Sequence, residues 1–140
     1  MIYIDTSILV ALCTAEEKSD AVDKWHESSS VKMISSTWAF TEFSSALSLK
    51  VRTNQLTEKQ SREAWKKFDI LCQNDIELLP IENKTYYSAG ILVIDSKSNL
   101  RAGAALHLAA AKSFKAKSIV TLDKVLEKNA SRLKIKTIII

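Results

Sequence analysis

Residues 2–7 have the sequence Ile-Tyr-Ile-Asp-Thr-Ser, and residues 8–12 continue as Ile-Leu-Val-Ala-Leu. The first three side chains are apolar and predict a buried strand, and the apolar run after the two hydroxyls predicts a helix that begins at once. Asp5 is the first charged side chain and stands at the junction. Because functional groups collect at the carboxyl ends of strands in open parallel sheets, Asp5 marks a candidate site.

Strand and helix patterns alternate along the rest of the chain. Four further short apolar runs predict strands, at residues 31–35, 76–79, 118–121 and 136–140. Amphipathic stretches between them predict helices, as expected of a doubly wound α/β domain with a parallel sheet of about five strands. The chain has only two glycines and neither a GxGxxG nor a GxxxxGK[ST] motif, which argues against a nucleotide-binding loop.

Local signals predict where several helices begin. Ser19 and Asn83 stand where a side chain would cap the following helix, and Thr57 with Gln60 fits a capping box. A long helix is predicted from Thr37. Glu42 lies on its apolar stripe, where a carboxylate needs either a cation or a wet cleft beside it.

Composition limits the class of protein. The 140 residues are the size of one domain, 1–140, and the net charge of +4 is compatible with a polyanion such as RNA, although dispersed surface lysines would give the same value. We find no signal peptide and no run long enough to cross a membrane. Cys13 and Cys72 are far apart and predict free thiols in a reducing, cytoplasmic setting.

Three acids are expected to meet at one edge of the sheet. Asp5 and Asp123 each follow a predicted strand, and Glu42 can reach the same edge from its helix. Carboxylates about 5 Å apart repel by about 3 kcal/mol at an effective dielectric of 20, and a divalent cation removes this penalty. Oxygen ligands suit Mg²⁺ or Mn²⁺, which can activate water for phosphodiester hydrolysis.

Each acid also has a purely structural interpretation. Asp5 and Asp123 could simply cap the helices that follow them, and Glu42 could pair with Lys50 or Arg101. The remaining polar and aromatic candidates have structural interpretations as well. His107 lies on an apolar helix, where a hydrogen-bonded core histidine is commoner than a ligand, and Trp25, Trp38 and Trp65 are predicted to belong to the core.

Four stretches together resemble one known family. They are Ile-Asp-Thr-Ser at 4–7, Thr-Glu at 41–42, Leu-Arg-Ala-Gly-Ala-Ala-Leu-His-Leu-Ala at 100–109 and Thr-Leu-Asp at 121–123. In this order they resemble the PIN-domain ribonucleases, and especially the small VapC-type toxins of toxin–antitoxin pairs. The resemblance implies a PIN-like, three-layer fold and a Mg²⁺- or Mn²⁺-dependent endoribonuclease. It also implies a homodimer that is inhibited by a cognate VapB-type antitoxin.

The resemblance also implies roles for particular residues. Asp5, Glu42 and Asp123 would be the acidic catalytic and metal-binding residues. Hydroxyl groups would support them by hydrogen bonding, from Thr6, Ser7 and Thr121. Neither Arg101 nor His107 is assigned a catalytic role.

The chain departs from the family pattern at Ala104. The family usually has Gly-Asp-Ala where this sequence has Gly-Ala-Ala at 103–105, so one catalytic acid is missing. We therefore expect the chain to bind metal weakly and to cleave RNA poorly or not at all. Two origins of the alanine remain open: an introduced Asp→Ala change that disarms a toxin, or a naturally inactive member.

Two other functions compete with this one. The first is a non-catalytic module that keeps the fold and binds RNA or a protein partner. The second is a phosphoryl-transfer receiver domain, which fits less well because Pro80 and Ile81, and no acceptor aspartate, follow the strand at 76–79.

Overall fold

A computed structural model describes all 140 residues, and it confirms the alternation of strands and helices. The elements follow in this order: β1 (Ile2–Ile4), α1 (Thr6–Cys13), α2 (Ser19–Ser28), β2 (Met33–Ser36), α3 (Trp38–Arg52), α4 (Glu58–Asn74), β3 (Ile76–Leu79), α5 (Asn83–Ile94), a 3₁₀ turn (Ser96–Ser98), α6 (Ala102–Ser113), β4 (Ser118–Val120), α7 (Lys124–Arg132) and β5 (Lys136–Ile138). The five strands form one parallel sheet in the order β3-β2-β1-β4-β5. The predicted fold class is therefore confirmed.

Neighbouring residues of β1 supply the two sides of the core. Ile4 packs with the apolar side chains of α1 to α4, including Phe43 and Phe68. Tyr3 points to the opposite face and packs against α6 and α7, through Leu108 and Leu126. Successive side chains of a strand alternate between faces, so a fully buried central strand gives a helix–sheet–helix sandwich.

Thr57 and Gln60 form the predicted capping box at the start of α4. The two other predicted caps are wrong. Ser19 is already inside α2, and its Oγ lies 2.7 Å from the carbonyl oxygen of Ala11, which fastens α2 to α1. Asn83 is the first residue of α5 and makes no capping bond. In both places the helix begins at the residue that was predicted to cap it, one position earlier than the capping pattern indicates.

Other details of the core agree with the sequence. Trp25, Trp38 and Trp65 pack against the two apolar clusters. Cys13 is buried at the last residue of α1, Cys72 is partly buried on α4, and both are free thiols. No helix combines the length and the apolar character that crossing a bilayer requires.

Candidate functional site

Asp5 stands between β1 and α1 and is only 4% exposed. Its Oδ1 accepts hydrogen bonds from the backbone N–H groups of Ser7 (3.1 Å) and Ile8 (3.4 Å) and from the Ser7 hydroxyl (2.5 Å). The helix-capping interpretation is thus correct as geometry. It does not account for the second oxygen, because Oδ2 accepts from the Thr121 hydroxyl at 2.5 Å.

The hydroxyls of Ser7 and Thr121 join the ends of β1 and β4. The Ser7 Oγ accepts from the backbone N–H of Leu122 at 2.8 Å, and the Thr121 Oγ1 accepts from that of Asp123 at 3.0 Å. Asp123 itself is exposed and caps α7, with Oδ1 accepting from the N–H groups of residues 125 and 126. We call the side chains of Asp5, Ser7 and Thr121 the strand-end network.

Burial desolvates the Asp5 carboxylate and raises its pKa above the ordinary value. The nearby His107 and the hydrogen bonds from Ser7 and Thr121 lower the pKa, but they offset only part of the desolvation. At neutral pH the ionised form of Asp5 is therefore less stable in the folded chain than it would be in water.

This raised pKa makes stability depend on pH. A folded chain with a raised pKa holds a proton that the unfolded chain releases, so stability falls as the pH rises from the ordinary value of 3.8. We expect Asp5→Asn, which cannot ionise, to unfold at a higher temperature than the unsubstituted chain at pH 7 in EDTA, with the difference shrinking toward pH 4. Thermal unfolding followed by circular dichroism measures this.

The matched control is Asp123→Asn, which changes the exposed cap of α7 and removes no buried charge. A lower unfolding temperature for Asp5→Asn at pH 7 would show that the lost hydrogen bonds outweigh the relieved desolvation.

Glu42 has a different partner from the two that the sequence suggested. Its Oε1 lies 2.5 Å from Nε2 of His107 and accepts a bond from the Thr6 hydroxyl at 2.6 Å. Lys50 instead pairs with Glu16, and Arg101 makes no ion pair. Partial burial raises the pKa of Glu42. The interactions with His107 and the hydrogen bond from Thr6 lower it by more than burial raises it, so the pKa lies below its ordinary value.

His107 is 2% exposed and is hydrogen-bonded at both ring nitrogens. Its Nδ1 lies 2.7 Å from the Tyr3 hydroxyl, which donates to the Ser36 hydroxyl at 3.0 Å. The interpretation as a satisfied core histidine is confirmed. The sequence did not reveal that this histidine holds Glu42. We call Tyr3, His107, Glu42 and Thr6 the histidine network.

Gly103 lets the start of α6 approach Glu42. A Cβ at this position would lie 2.6 Å from Oε2 of Glu42 and 3.5 Å from Nε1 of Trp38. The glycine therefore packs against α3. Since His107 follows four residues later on the same helical face, α6 contacts Glu42 at two successive turns.

Gly103→Ala is expected to displace the Glu42 carboxylate and to weaken its bond to His107. In a helix, Gly→Ala ordinarily stabilises by about 1 kcal/mol, so a loss of stability here would isolate the steric conflict. The matched control is Gly90→Ala in α5, where an added Cβ meets nothing within 4 Å and the ordinary gain is expected. Urea denaturation of both variants decides, and equal gains would contradict the close contact.

Ala104 lies next to Gly103 in the first turn of α6. That turn contains no acidic residue, and Arg101 at the N-cap makes no side-chain capping bond. Ala104 is partly exposed. A carboxylate at this position would therefore reach solvent beside Glu42, and the positive end of the helix dipole would stabilise it.

The structure brings the three predicted acids to neighbouring strand ends, but not into a ready metal site. Asp5 and Asp123 are linked through Thr121, and Glu42 is linked to Thr6, which follows Asp5 in the chain. No group of three or more His, Cys, Asp or Glu side chains lies close enough to hold a metal ion. Their oxygens suit Mg²⁺ or Mn²⁺, but fewer than three of these side chains are gathered in one place.

A cleft of about 570 Å³ opens beside both networks. Thr6, Ser7, Glu42 and Leu122 are among the residues that line it, with further acids at Glu16 and Glu17. Of the three candidate acids only Glu42 lines this cleft, which we call the acidic cleft and which is large enough for a ligand. Of the site residues, Tyr3, Gly103 and His107 were missed by sequence reasoning, and the only signal was the unpaired carboxylate of Glu42 on an apolar stripe.

Solved structures similar to this one span nearly the whole chain. The toxin VapC20 of Mycobacterium tuberculosis, described as cleaving the sarcin-ricin loop, is 14% identical with a TM-score of 0.74, over 92% of this chain and 95% of that one. FitAcB from Neisseria gonorrhoeae is 16% identical with a TM-score of 0.72, over 99% and 97%. VapBC2 from Rickettsia felis, bound to promoter DNA, is 16% identical with a TM-score of 0.65, over 99% and 98%.

Sequence comparison gives a matching result at the level of the family. No curated protein matches the chain. The sequence profile of the PIN domain, in contrast, matches residues 2–131, which span four of the five strands and all the helices except the last residue of α7. The resemblance drawn from the four motifs is thus confirmed at the level of the domain, and the chain belongs to the PIN domain family.

Proposed function

We propose that the protein is an endoribonuclease toxin of the VapC type, dependent on Mg²⁺ or Mn²⁺, and that Ala104 impairs its activity. The observation that carries this proposal is the strand-end network, in which Asp5 is held by two hydroxyls at the carboxyl ends of β1 and β4. The toxin VapC20, described as cleaving the sarcin-ricin loop, is among the similar structures and supports it. We place the activity in the cytoplasm, where RNA and free thiols are both expected.

In this proposal Asp5, Glu42 and Asp123 are the catalytic acids and the metal ligands. Ser7 and Thr121 fix the Asp5 carboxylate, and Thr6 with His107 fixes Glu42, so each acid is oriented before a ligand arrives. A bound divalent ion would supply an activated water and neutralise charge on the phosphodiester. The protein's own contribution is to bury Asp5 and to fix the orientation of the Asp5 and Glu42 carboxylates.

A cognate antitoxin is the proposed partner. VapBC2 and FitAcB are complexes whose structures resemble this chain over almost its full length. Three acids, Glu16, Glu17 and Glu42, and one cation, Lys18, line the acidic cleft. Although Glu16 is paired with Lys50, a basic segment of an antitoxin would find net opposite charge there. Co-purification with the product of the neighbouring gene, identified by mass spectrometry, tests this partner.

A second function has its own support. A non-catalytic PIN-fold module that binds RNA or protein would need no gathered metal ligands, and in this chain none are gathered. Oε1 of Glu42 is already engaged by Nε2 of His107 at 2.5 Å and by the Thr6 hydroxyl at 2.6 Å. Mn²⁺ titration by calorimetry separates the two functions, because a nuclease site repaired at position 104 should bind the ion and a pure binding module should not.

Growth of the expression host tests the toxin directly. Induction of the Ala104→Asp chain is expected to arrest growth, and co-expression of the antitoxin should relieve the arrest. The doubly substituted Ala104→Asp, Asp5→Asn chain is the control and should be harmless. Unimpaired growth with well-folded, abundant Ala104→Asp protein would contradict the proposal.

We further propose that the protein is a homodimer that associates through α5. Tyr87, Ile91 and Ile94 are 79%, 68% and 78% exposed and recur at the spacing of one helical face. Exposed apolar clusters of this kind typically mark interfaces.

Ile91→Asp is expected to convert a dimer into a monomer in size-exclusion chromatography with light scattering, because a charge would be buried in the interface. Ile70→Asp is the matched control, since Ile70 is also an exposed isoleucine, on α4. A monomeric unsubstituted chain, or a dimer that survives Ile91→Asp, would rule out this interface.

A further inference from the structure

A second cleft, of about 610 Å³, lies between the 3₁₀ turn and α7, apart from the acidic cleft. All of its ionisable lining residues are cations, namely Lys97, Lys124, Lys128 and Arg132. No carboxylate lines it, and Val125 is its only apolar residue. This single sign of charge contrasts with the mixed charges of the chain as a whole.

Three of the cations are spaced regularly along α7. Lys124, Lys128 and Arg132 follow at intervals of four residues, so they lie on one side of the helix at axial steps of about 6 Å. Lys124 pairs with Glu127 at an exposed site. Lys97, Lys128 and Arg132 have no carboxylate within ion-pair distance, so their charges are available to a ligand.

The cleft has a fixed floor. The buried Asn129 donates through Nδ2 to the carbonyl oxygens of Ser98 (2.9 Å) and Val125 (2.8 Å), which joins the 3₁₀ turn to α7. Ser98 is buried as well, and its Oγ accepts from the N–H of Leu100. The two walls that carry the cations are therefore held at a set separation, which lowers the entropic cost of binding.

The cleft begins at the candidate site and leads away from it. Lys124 directly follows Asp123, whose N–H is bonded to Thr121 in the strand-end network. Lys128 and Arg132 extend along α7 from that point. A polymer that crosses the strand ends could continue along the basic side of α7 without a break.

We propose that this cleft binds consecutive backbone phosphates of RNA and so holds the strand beside the acids. The inference rests on the proposed ribonuclease function, since that function supplies the polymer. The lining of this cleft holds four cations and no carboxylate. Such a lining recognises the negative charge of backbone phosphodiesters. An acidic protein partner fits less well, because a stable protein interface needs an apolar centre and Val125 is the only apolar side chain here.

The test compares two triple variants of equal charge. One removes the cleft cations: Lys97→Gln, Lys128→Gln, Arg132→Gln. The other removes three exposed cations of α4 on the opposite face of the sheet: Lys59→Gln, Arg62→Gln, Lys66→Gln. Binding of a labelled single-stranded RNA is followed by fluorescence anisotropy in EDTA over a range of salt concentrations. Circular dichroism verifies that both variants are folded.

The cleft variant should bind RNA at least about tenfold more weakly at low salt, and the slope of log K against log salt should decrease by about 2. The α4 variant should stay close to the unsubstituted chain. Equal losses in both variants, no loss in the cleft variant, or tighter binding of a polyglutamate peptide than of RNA would overturn the inference. So would a lack of measurable RNA binding by the unsubstituted chain at low salt.

Cleavage is assayed separately, with Ala104→Asp and Mn²⁺, which keeps the two proposals distinguishable. If the cleft variant selectively loses RNA binding and Ala104→Asp does not cleave RNA, the RNA-binding cleft is supported and the ribonuclease function is refuted. If Ala104→Asp cleaves RNA and the cleft variant binds RNA as the unsubstituted chain does, the ribonuclease function is supported and the RNA-binding cleft is refuted.

Discussion

Ala104→Asp is expected to cleave RNA in the presence of Mg²⁺ or Mn²⁺ at least about 100-fold faster than the chain with Ala104, since a missing carboxylate ligand costs both metal affinity and rate. Position 104 is in the first turn of α6, beside the helix residue that contacts Glu42. The new carboxylate would add a fourth acid to a site where Asp5 and Glu42 are already oriented. Gel analysis of a structured RNA, with and without EDTA, measures the effect.

The substitution should be well tolerated by the fold. No acid occupies the first turn of α6, and an acid there gains about 0.3–1 kcal/mol from the helix dipole. Ala104→Asn is the matched control, because it has the same size without the charge and should remain inactive. A folded Ala104→Asp chain that neither binds Mn²⁺ nor cleaves RNA would refute the metal-site assignment and favour the non-catalytic module.

His107→Ala should destabilise the chain by about 3 kcal/mol, because it leaves a cavity and removes a buried hydrogen-bond partner of Glu42. The Tyr3 hydroxyl also loses the partner that lies 2.7 Å away. Urea denaturation measures the change in the free energy of unfolding. The Glu42 side chain is 29% exposed, so water can solvate its carboxylate once His107 is removed. The loss of stability should therefore stay below the largest values measured when a fully buried pair is broken.

The chain offers its own control in its other histidine. His26 lies on α2, 3.8 Å from the exposed Asp75, and His26→Ala should cost less than about 0.5 kcal/mol. A second comparison separates packing from charge. His107→Leu keeps most of the volume, and adding Glu42→Gln should restore part of its lost stability, because the unpaired charge is gone. Similar losses for both histidines would contradict a network centred on His107.

The sheet was predictable because its strands are short runs with apolar residues, and four of the five are followed by a turn or polar residue, which leaves few alternatives. The strand-end network was predictable for the same reason. Asp5 and Thr121 each come at the end of a strand, and parallel strands end at one edge. The catalytic, metal-binding and supporting roles inferred for all seven predicted site residues remain predictions until metal binding and cleavage are measured.

The partner of Glu42 was not predictable. Glu42 and His107 are 65 residues apart in the chain, and no local pattern connects them. Ser19 was misjudged because its hydroxyl bonds to carbonyls of the preceding helix, a tertiary contact that outweighs its capping preference. The contact of Gly103 with α3 was missed because no local pattern says which element a glycine packs against. Contacts across the fold, more than local propensity, therefore determine the histidine network.

The helix that carries Thr6 and Ser7 in its first turn carries a thiol in its last. Burial raises the pKa of Cys13 to about 12, and only a thiolate reacts readily with alkylating reagents. Cys13 should therefore stay unmodified until α1 detaches from the sheet, and its alkylation rate reports how often that helix opens transiently. A ligand bound in the acidic cleft, which Thr6 and Ser7 line, would lower the alkylation rate of Cys13 without contacting its sulfur.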